Sequence, residues 1–307
     1  MTKVLVATEK PFSKVAVEGI KAVTDAAGYE LALLEKYTEK QQLLDAVKDA
    51  DALIIRSDKV DSQVLDAAKS LKIVVRAGAG YDNIDLEAAT AHKVVAMNTP
   101  GQNANSVAEL VFGLLVFGVR NFFNGTSGTE LKGKKLGILA FGNVGRNVAR
   151  IARGFDMKVM AYDAFCPSDV IAAAGVEVAK SQAELFETCD IVSLHIPATA
   201  ETKQSIGYDF VGKMKKGGIL VNTARKEVID EAGLERILEE RTDIKYLTDI
   251  KPDADAVYAA KFEGRYFATP KKMGAQTAEA NVNAGIAAAN QIVSYLKDGV
   301  TKFQVNK

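Results

Sequence analysis

The segment KKLGILAFGNVGRNVARIARGFDMKVMAYD holds the spacing with the most chemical content in this chain. A strand-like run leads into Ala140-Phe141-Gly142-Asn143-Val144-Gly145, then a helix-period stretch, then a second strand-like run ending at Asp163. This order is the dinucleotide fingerprint, with Ala140 at the first glycine position. Gly142 lets backbone approach a pyrophosphate, and Gly145 lets the helix pack closely on its strand. The N–H groups of Asn143 and Val144 and the positive end of the helix dipole then face the phosphates. Asp163 follows Gly142 by 21 residues, where a carboxylate accepts hydrogen bonds from ribose hydroxyls. Ala164 and Phe165 come next, with no Arg or Lys adjacent to hold a 2′-phosphate, so NAD is expected in preference to NADP.

Further polar groups stand near the ends of strand-like runs, where ligands of open α/β sheets collect. VNTARKEVIDE places Arg225 just beyond a strand, KYLTDIKPD places Asp249 at the end of another, and ATPKKMG places Lys271 and Lys272 after a proline turn. A guanidinium fork suits a carboxylate, which it grips with two parallel bonds. A lysine amine can donate or accept a proton at a reacting oxygen. In the N-terminal third, Arg56 and Ser57 end one strand, and Ala77-Gly78-Ala79-Gly80 opens a loop that reaches Asn83. Backbone N–H groups in such a loop can cradle an anion. Arg56 is the candidate for a phosphate or carboxylate of the substrate, and a charge-assisted bond there contributes about 1.5–3 kcal/mol.

These residues need strands to carry them. Lys3–Ala7, Leu31–Leu34, Ala52–Ile55, Ile73–Val75 and Val94–Met97 read as strands. Helix-period segments Ser13–Ala27, Lys40–Lys48, Ser62–Ala68 and Asp85–Ala91 separate them. A second cycle supplies Leu136–Ala140, Val159–Tyr162, Val176–Ala179, Ile191–Leu194, Ile219–Asn222 and Ile244–Thr248. Such alternation predicts an α/β fold of two Rossmann-like or flavodoxin-like parallel-sheet domains with a cleft between them. Between the cycles, NTPGQN marks a turn, and Ser106 with Glu109 reads as the N-cap of the next helix. That helix is apolar around most of its circumference, so it is buried in the core or against a second copy, the second being favoured. The last helix, Ala278–Lys297, could run back to the first domain.

Composition bounds the rest. Nearly half the residues are apolar and a quarter charged, as in ordinary globular chains. Basic and acidic residues balance to zero net charge, which argues against nucleic acid or a membrane surface as partner. Two cysteines, Cys166 and Cys189, are too few for a disulfide framework, and no metal-ligand cluster is evident. The first residues, MTKVLVATEK, enter a strand without a signal-peptide pattern, and the apolar run Leu110–Val119 is half a membrane span. A cytoplasmic location is expected.

The segments RAGAGYDNID, NTPGQN, SLHIPATAETK and VNTARKEVIDE, with the glycine fingerprint, resemble the D-isomer-specific 2-hydroxyacid dehydrogenases over nearly the whole chain. Within them the likeness is greatest to the short-form phosphoglycerate dehydrogenase branch. The resemblance implies a substrate-binding domain of residues 1–97 with 287–307, an NAD-binding domain of residues 98–286, and a homodimer. It implies NAD-dependent oxidation of 3-phospho-D-glycerate to 3-phosphohydroxypyruvate, in serine biosynthesis. It places His195, Pro197, Thr223, Ala224 and Asp249 beside the cofactor, the last at the nicotinamide amide. Two rival readings carry the same motifs: a hydroxypyruvate or glyoxylate reductase, and a non-enzymatic NAD-sensing corepressor-like protein.

Relatives of this kind use an Arg, a Glu and a His. Arg225 matches the Arg; the His position holds Lys271, and the Glu position holds Ala254 between Asp253 and Asp255. The two changes are chemically coherent. A neutral His needs a carboxylate to fix its tautomer and stabilise its cation. A free lysine keeps its proton to about pH 10.4. A lysine base therefore requires neighbouring positive charge and no carboxylate partner. Lys271 is the expected general acid/base, Lys272 its competitor, and Asp253 and Asp255 read as loop carboxylates. His92 reads as a surface residue.

Overall fold

The computed structural model describes residues 1–306 and contains two compact units, Met1–Asn103 with Gln276–Lys307, and Ala104–Ala275. The expected break at residue 287 falls ten residues inside α12 (Ala278–Asp298). That helix starts on a Thr277 cap and runs unbroken, so the whole of it joins the first unit. Residues 98–103 join the same unit.

In the first unit, β1 (Lys3–Thr8), β2 (Glu30–Glu35), β3 (Ala52–Ile55), β4 (Ile73–Arg76) and β5 (Val95–Asn98) form a parallel sheet in the order β2-β1-β3-β4-β5. Helices α1 (Lys14–Ala27), α2 (Lys40–Ala46), α3 (Ser62–Ala67) and α4 (Leu86–Ala91) cross over between them. β3 and β4 are apolar on both faces because helices cover both. On one face, Ala284, Ala288, Ala289 and Ile292 of α12 pack with Ala16 and Ile20 of α1. Small side chains let these helices lie close to the sheet and to each other.

The second unit begins with α5 (Ala104–Val119), followed by β6 (Lys135–Leu139), α6 (Asn143–Gly154), β7 (Lys158–Tyr162), α7 (Ser168–Ala173), β8 (Glu177–Val178), α8 (Gln182–Thr188) and β9 (Ile191–Leu194). Then come α9 (Tyr208–Val211), β10 (Ile219–Asn222), α10 (Glu231–Glu240), β11 (Lys245–Thr248), α11 (Asp255–Lys261) and β12 (Tyr266–Ala268). The strands form one seven-stranded sheet, β12-β11-β10-β9-β6-β7-β8, parallel at every pair. Sequence order reverses between β6 and β9, which makes that gap the topological switch point. β12 escapes the sequence reading because a three-residue edge strand carries too little periodicity.

Two expectations about α5 are corrected. The helix starts at Ala104, and the Ser106 hydroxyl donates to the Gly274 carbonyl at 2.6 Å instead of capping. Its apolar residues Ala108, Val111, Phe112, Leu114 and Leu115 lie in the core of their own unit, with Leu110 and Val116 half-buried beside them. The core reading therefore accounts for most of its apolar surface.

Candidate active site

Parallel strands end on one edge, so the sheet order of the second unit sets the order of its candidate groups. From β12 inward that edge carries Lys271, Asp249, Arg225 and His195, then the glycine turn after β6 and Asp163 after β7. β7 and β10 lie three strand steps apart, roughly 15 Å at about 4.8 Å per step.

Gly142 caps α6 without a side-chain bond, and the N–H groups of Asn143, Val144 and Gly145 meet no acceptor among the described residues. A Cβ on Gly142 would meet nothing within 4 Å, so that face of the turn is open. A Cβ on Gly145 would lie 2.3 Å from the Ala140 carbonyl, so the close helix–strand approach admits only glycine there. Ala140 has φ +79°, the left-handed turn that the first glycine of the fingerprint normally makes.

Asp163 is half-buried and accepts from Phe141 N at 2.7 Å, Phe165 N at 2.8 Å and Cys166 N at 2.8 Å. Burial pushes its pKa up, but those three N–H groups and Arg146 outweigh it and hold the carboxyl below its usual range. The Arg146 guanidinium sits beside this carboxylate, reaching Cys166 Sγ at 3.5 Å. Sequence adjacency missed this cation because it comes from α6, a turn of chain away from β7.

His195 has its Nε2 3.0 Å from the Ser193 hydroxyl, and burial holds its pKa well below 6.5, so the imidazole is neutral near pH 7. The Pro197 carbonyl accepts from Thr202. Thr223 is buried, and its hydroxyl has no partner among the described residues. Open space at Gly142, uncapped N–H groups, the Asp163 carboxylate and the orphaned Thr223 hydroxyl together fit an extended dinucleotide.

Arg225 follows a turn held by Asn222, whose Nδ2 donates to the Arg225 carbonyl at 2.9 Å and whose Oδ1 accepts from Ala224 N at 3.0 Å. The guanidinium is exposed and donates to the Ala224 carbonyl, with no carboxylate partner among the described residues. Asp249 is fully buried. It accepts from Met273 N and Gly274 N at 2.7 Å each and from the Thr269 hydroxyl at 2.8 Å. That same hydroxyl lies 2.8 Å from the Lys271 carbonyl. Asp249 thus fastens both ends of the loop that presents Lys271. Nothing in the sequence pattern signals a carboxylate used as a loop anchor.

Lys271 is exposed and pairs with no carboxylate of the described residues. Asp253 pairs with Lys226 at 2.6 Å, and Asp255 with Lys251 at 2.6 Å and the Tyr266 hydroxyl at 2.7 Å. At the vacant Glu position, the Ala254 and Asp253 N–H groups donate to Glu231.

The first unit holds its own candidates more tightly than expected. Arg56 Nη1 donates to the Lys10 and Pro11 carbonyls and Nη2 to Asn281 Oδ1 at 2.7 Å, while the guanidinium stacks over Phe12. Burial lowers its pKa, partly offset by Asp58. Arg56 is first a brace between two loops and α12. Asn83 is likewise a brace, donating to the Asp58 carbonyl at 2.7 Å and the Arg56 carbonyl. Buried Asp58, unmarked in the sequence, accepts from Glu9 N, the Tyr37 hydroxyl and Arg56 N. In the small-residue loop, Ala77 N and Gly78 N are spent on internal carbonyls. Ala79 N and Gly80 N have no acceptor among the described residues, and Ser57 is exposed.

His92 is exposed at the C-terminus of α4, with Nε2 2.9 Å from Asp66. Cys189 is buried, its thiol pushed up to about 11 by burial. No group of residues that could hold a metal ion occurs among the described residues, and no helix is long and apolar enough to cross a membrane.

The model of the D-isomer specific 2-hydroxyacid dehydrogenase NAD-binding domain matches residues 119–260. A hydroxypyruvate reductase of Thermotoga maritima is 36% identical over 285 residues, covering 87% of this chain and 92% of the relative. The chain belongs to the D-isomer-specific 2-hydroxyacid dehydrogenases. A D-3-phosphoglycerate dehydrogenase of Methanocaldococcus jannaschii is also 36% identical, over 284 residues; the chain spans 54% of that longer relative. The crystal structure of NAD+-bound 3-phosphoglycerate dehydrogenase of Entamoeba histolytica has a TM-score of 0.87 at 50% identity, covering 100% of this chain and 99% of that one. The second unit of this dehydrogenase is thus the family's NAD-binding domain, and NAD is the cofactor that its glycine turn, Asp163 and Thr223 would hold.

Proposed function

We propose that this chain is a D-3-phosphoglycerate dehydrogenase, oxidising the C2 hydroxyl of 3-phospho-D-glycerate to a ketone. The observation that carries the reading is the shared strand edge of Arg225, Lys271 and the dinucleotide turn, with Arg225 and Lys271 each held by a buried polar side chain. The Arg225 fork binds the substrate carboxylate and polarises the C2 oxygen. The Lys271 amine takes the hydroxyl proton in oxidation and returns it in reduction. NAD, held at the glycine turn, Asp163 and Thr223, would supply the acceptor for the hydride on C2. An amine free of any carboxylate partner suits this role better than a paired one, because a carboxylate would hold its proton. In the first unit, taken by itself, we assign Ser57, the Ala79 and Gly80 N–H groups and the remaining N–H groups of Arg56 to anion binding, with Ala77, Gly78 and Asn83 shaping their loops.

Support for this substrate comes from relatives named D-3-phosphoglycerate dehydrogenase in six organisms and from the 3-phosphoglycerate dehydrogenase of Entamoeba histolytica. The hydroxypyruvate and glyoxylate reductases among the relatives support the second reading, an enzyme of unphosphorylated keto acids. We further infer a cytoplasmic homodimer acting in serine synthesis. The test is NADH consumption with phosphohydroxypyruvate, hydroxypyruvate and glyoxylate side by side. Preference for the phosphorylated acid is expected; equal or better use of hydroxypyruvate would overturn the assignment. Lys271→Ala should abolish turnover and leave NADH binding nearly intact; normal turnover in that variant would exclude Lys271 as acid/base.

A further inference from the structure

Helix α12 carries two stripes of residues. Ala284, Ala288 and Ile292 recur at helical spacing and pack into the core of the first unit. Ala287, Asn290, Gln291 and Ser294 share a second face at i, i+3, i+4 and i+7, and all four line a cavity of about 310 Å³ within the same unit. A helix face turned toward protein is ordinarily apolar; this one is polar but for one alanine. Met97, Pro100, Val300 and Phe303 add apolar wall. The tail that supplies Phe303 is fixed along β5. Val305 N donates to the Ala96 carbonyl at 2.9 Å, and Asn306 donates to the Val94 carbonyl at 2.9 Å and accepts from Ala96 N at 2.8 Å. The cavity is therefore pre-formed, and its volume lies at the lower end of the range for small-molecule sites.

The polar groups of this wall are unspent. Gln291 Oε1 is buried with no hydrogen-bond partner among the described residues, a costly state that a ligand donor would relieve. The side chains of Gln102, Asn290 and Ser294 likewise find no partner there. Lys302 pairs with no carboxylate among the described residues and holds its ammonium 5.3 Å from the Phe303 ring centroid. No acidic side chain lines the cavity among the described residues, so its field favours an anion. We propose that this cavity binds a small carboxylic acid with a flat apolar body and one hydroxyl, the class of the hydroxyaryl acids. Lys302 takes the carboxylate, Phe303 and Met97 pack on the ring, and Gln291 Oε1 accepts from the hydroxyl. The site shares no residue with the groups assigned to cofactor or substrate, so it is independent of which hydroxy acid is oxidised.

The test is isothermal calorimetry on the full chain with three probes: 4-hydroxyphenylacetate, its neutral amide 4-hydroxyphenylacetamide, and phenylacetate. The hydroxy acid should bind with a Kd of about 1 mM or tighter. The amide should bind at least about tenfold more weakly and phenylacetate about threefold more weakly, the factors for one charge-assisted and one neutral hydrogen bond. Lys302→Met should cost the acid at least about tenfold and bring acid and amide level, while Lys302→Arg should keep most of the affinity. Gln291→Leu should bring the hydroxy acid level with phenylacetate. The Lys302 and Gln291 side chains donate and accept no hydrogen bond within the fold among the described residues, so the variants should keep the native Tm. A Kd weaker than about 1 mM for the hydroxy acid, equal affinity for either control probe, or binding that survives Lys302→Met would overturn the proposal. The last result would place the acid elsewhere, such as at Arg225. Because every readout is equilibrium binding, a failure of the phosphoglycerate assignment leaves them interpretable.

Discussion

Asp249→Asn tests whether the catalytic loop is held by one buried carboxylate. In the native chain its two oxygens take three donors: Met273 N, Gly274 N and the Thr269 hydroxyl, all within 2.8 Å. An asparagine of the same shape keeps one oxygen and turns an NH2 group toward the donors of the other. One hydrogen bond to a carboxylate is lost, at about 1.5–3 kcal/mol. The loss is local, because residues 269–274 follow the edge strand β12 and can open without unfolding the sheet. That energy corresponds to about 10–150-fold faster amide exchange at Met273 and Gly274 if both now exchange through loop opening. Turnover should fall with the fraction of molecules whose loop is closed, since Lys271 is presented correctly only there. The affinity for ADP-ribose should stay within about twofold, because the Asp163 end of the site lies four strand steps away along the sheet. The assay is hydrogen exchange with mass or NMR readout on the variant, with kcat and ADP-ribose binding measured on the same sample. Unchanged protection at both amides, or lost protection with full turnover, would refute the loop-anchor reasoning.

Three further outcomes follow from single positions. Ala140→Gly should stabilise the NAD-binding unit by about 0.5–1 kcal/mol, the relief of a left-handed alanine less the entropy of glycine, read as a raised Tm; a lowered Tm would contradict it. Arg225→Lys keeps the charge but loses the fork and should lower kcat/KM about 10–150-fold, the range for one charge-assisted bond; a change under threefold would remove Arg225 from carboxylate binding. His195 is half-buried and its pKa is depressed by desolvation, so below pH 6.5 the unfolded chain takes up a proton that the folded imidazole refuses. Stability therefore falls as pH drops from 6.5 toward the folded pKa, and His195→Gln should flatten that slope in denaturant titrations; equal slopes would show that the histidine does not contribute.

Local pattern and spacing along the chain encode the elements and the two motifs that join consecutive ones. Alternating apolar runs and helical periods specify two parallel α/β units, because each strand's burial on both faces is written in its own residues. The glycine turn and Asp163 are legible because β6, α6 and β7 are consecutive, so their geometry follows from their order. Arg225 and Lys271 are legible as positions after strands and by resemblance. The tertiary structure decided what depends on groups distant along the chain. It turned Arg56 and Asn83 into braces, since their partners at Lys10, Pro11, Asn281 and Asp58 are set by packing. It made Asp249 a loop anchor, placed Arg146 beside Asp163, and buried most of the apolar face of α5 within its own unit. A buried polar group takes whatever donor the fold brings to it, and that choice belongs to the assembled core, not to the neighbours in sequence.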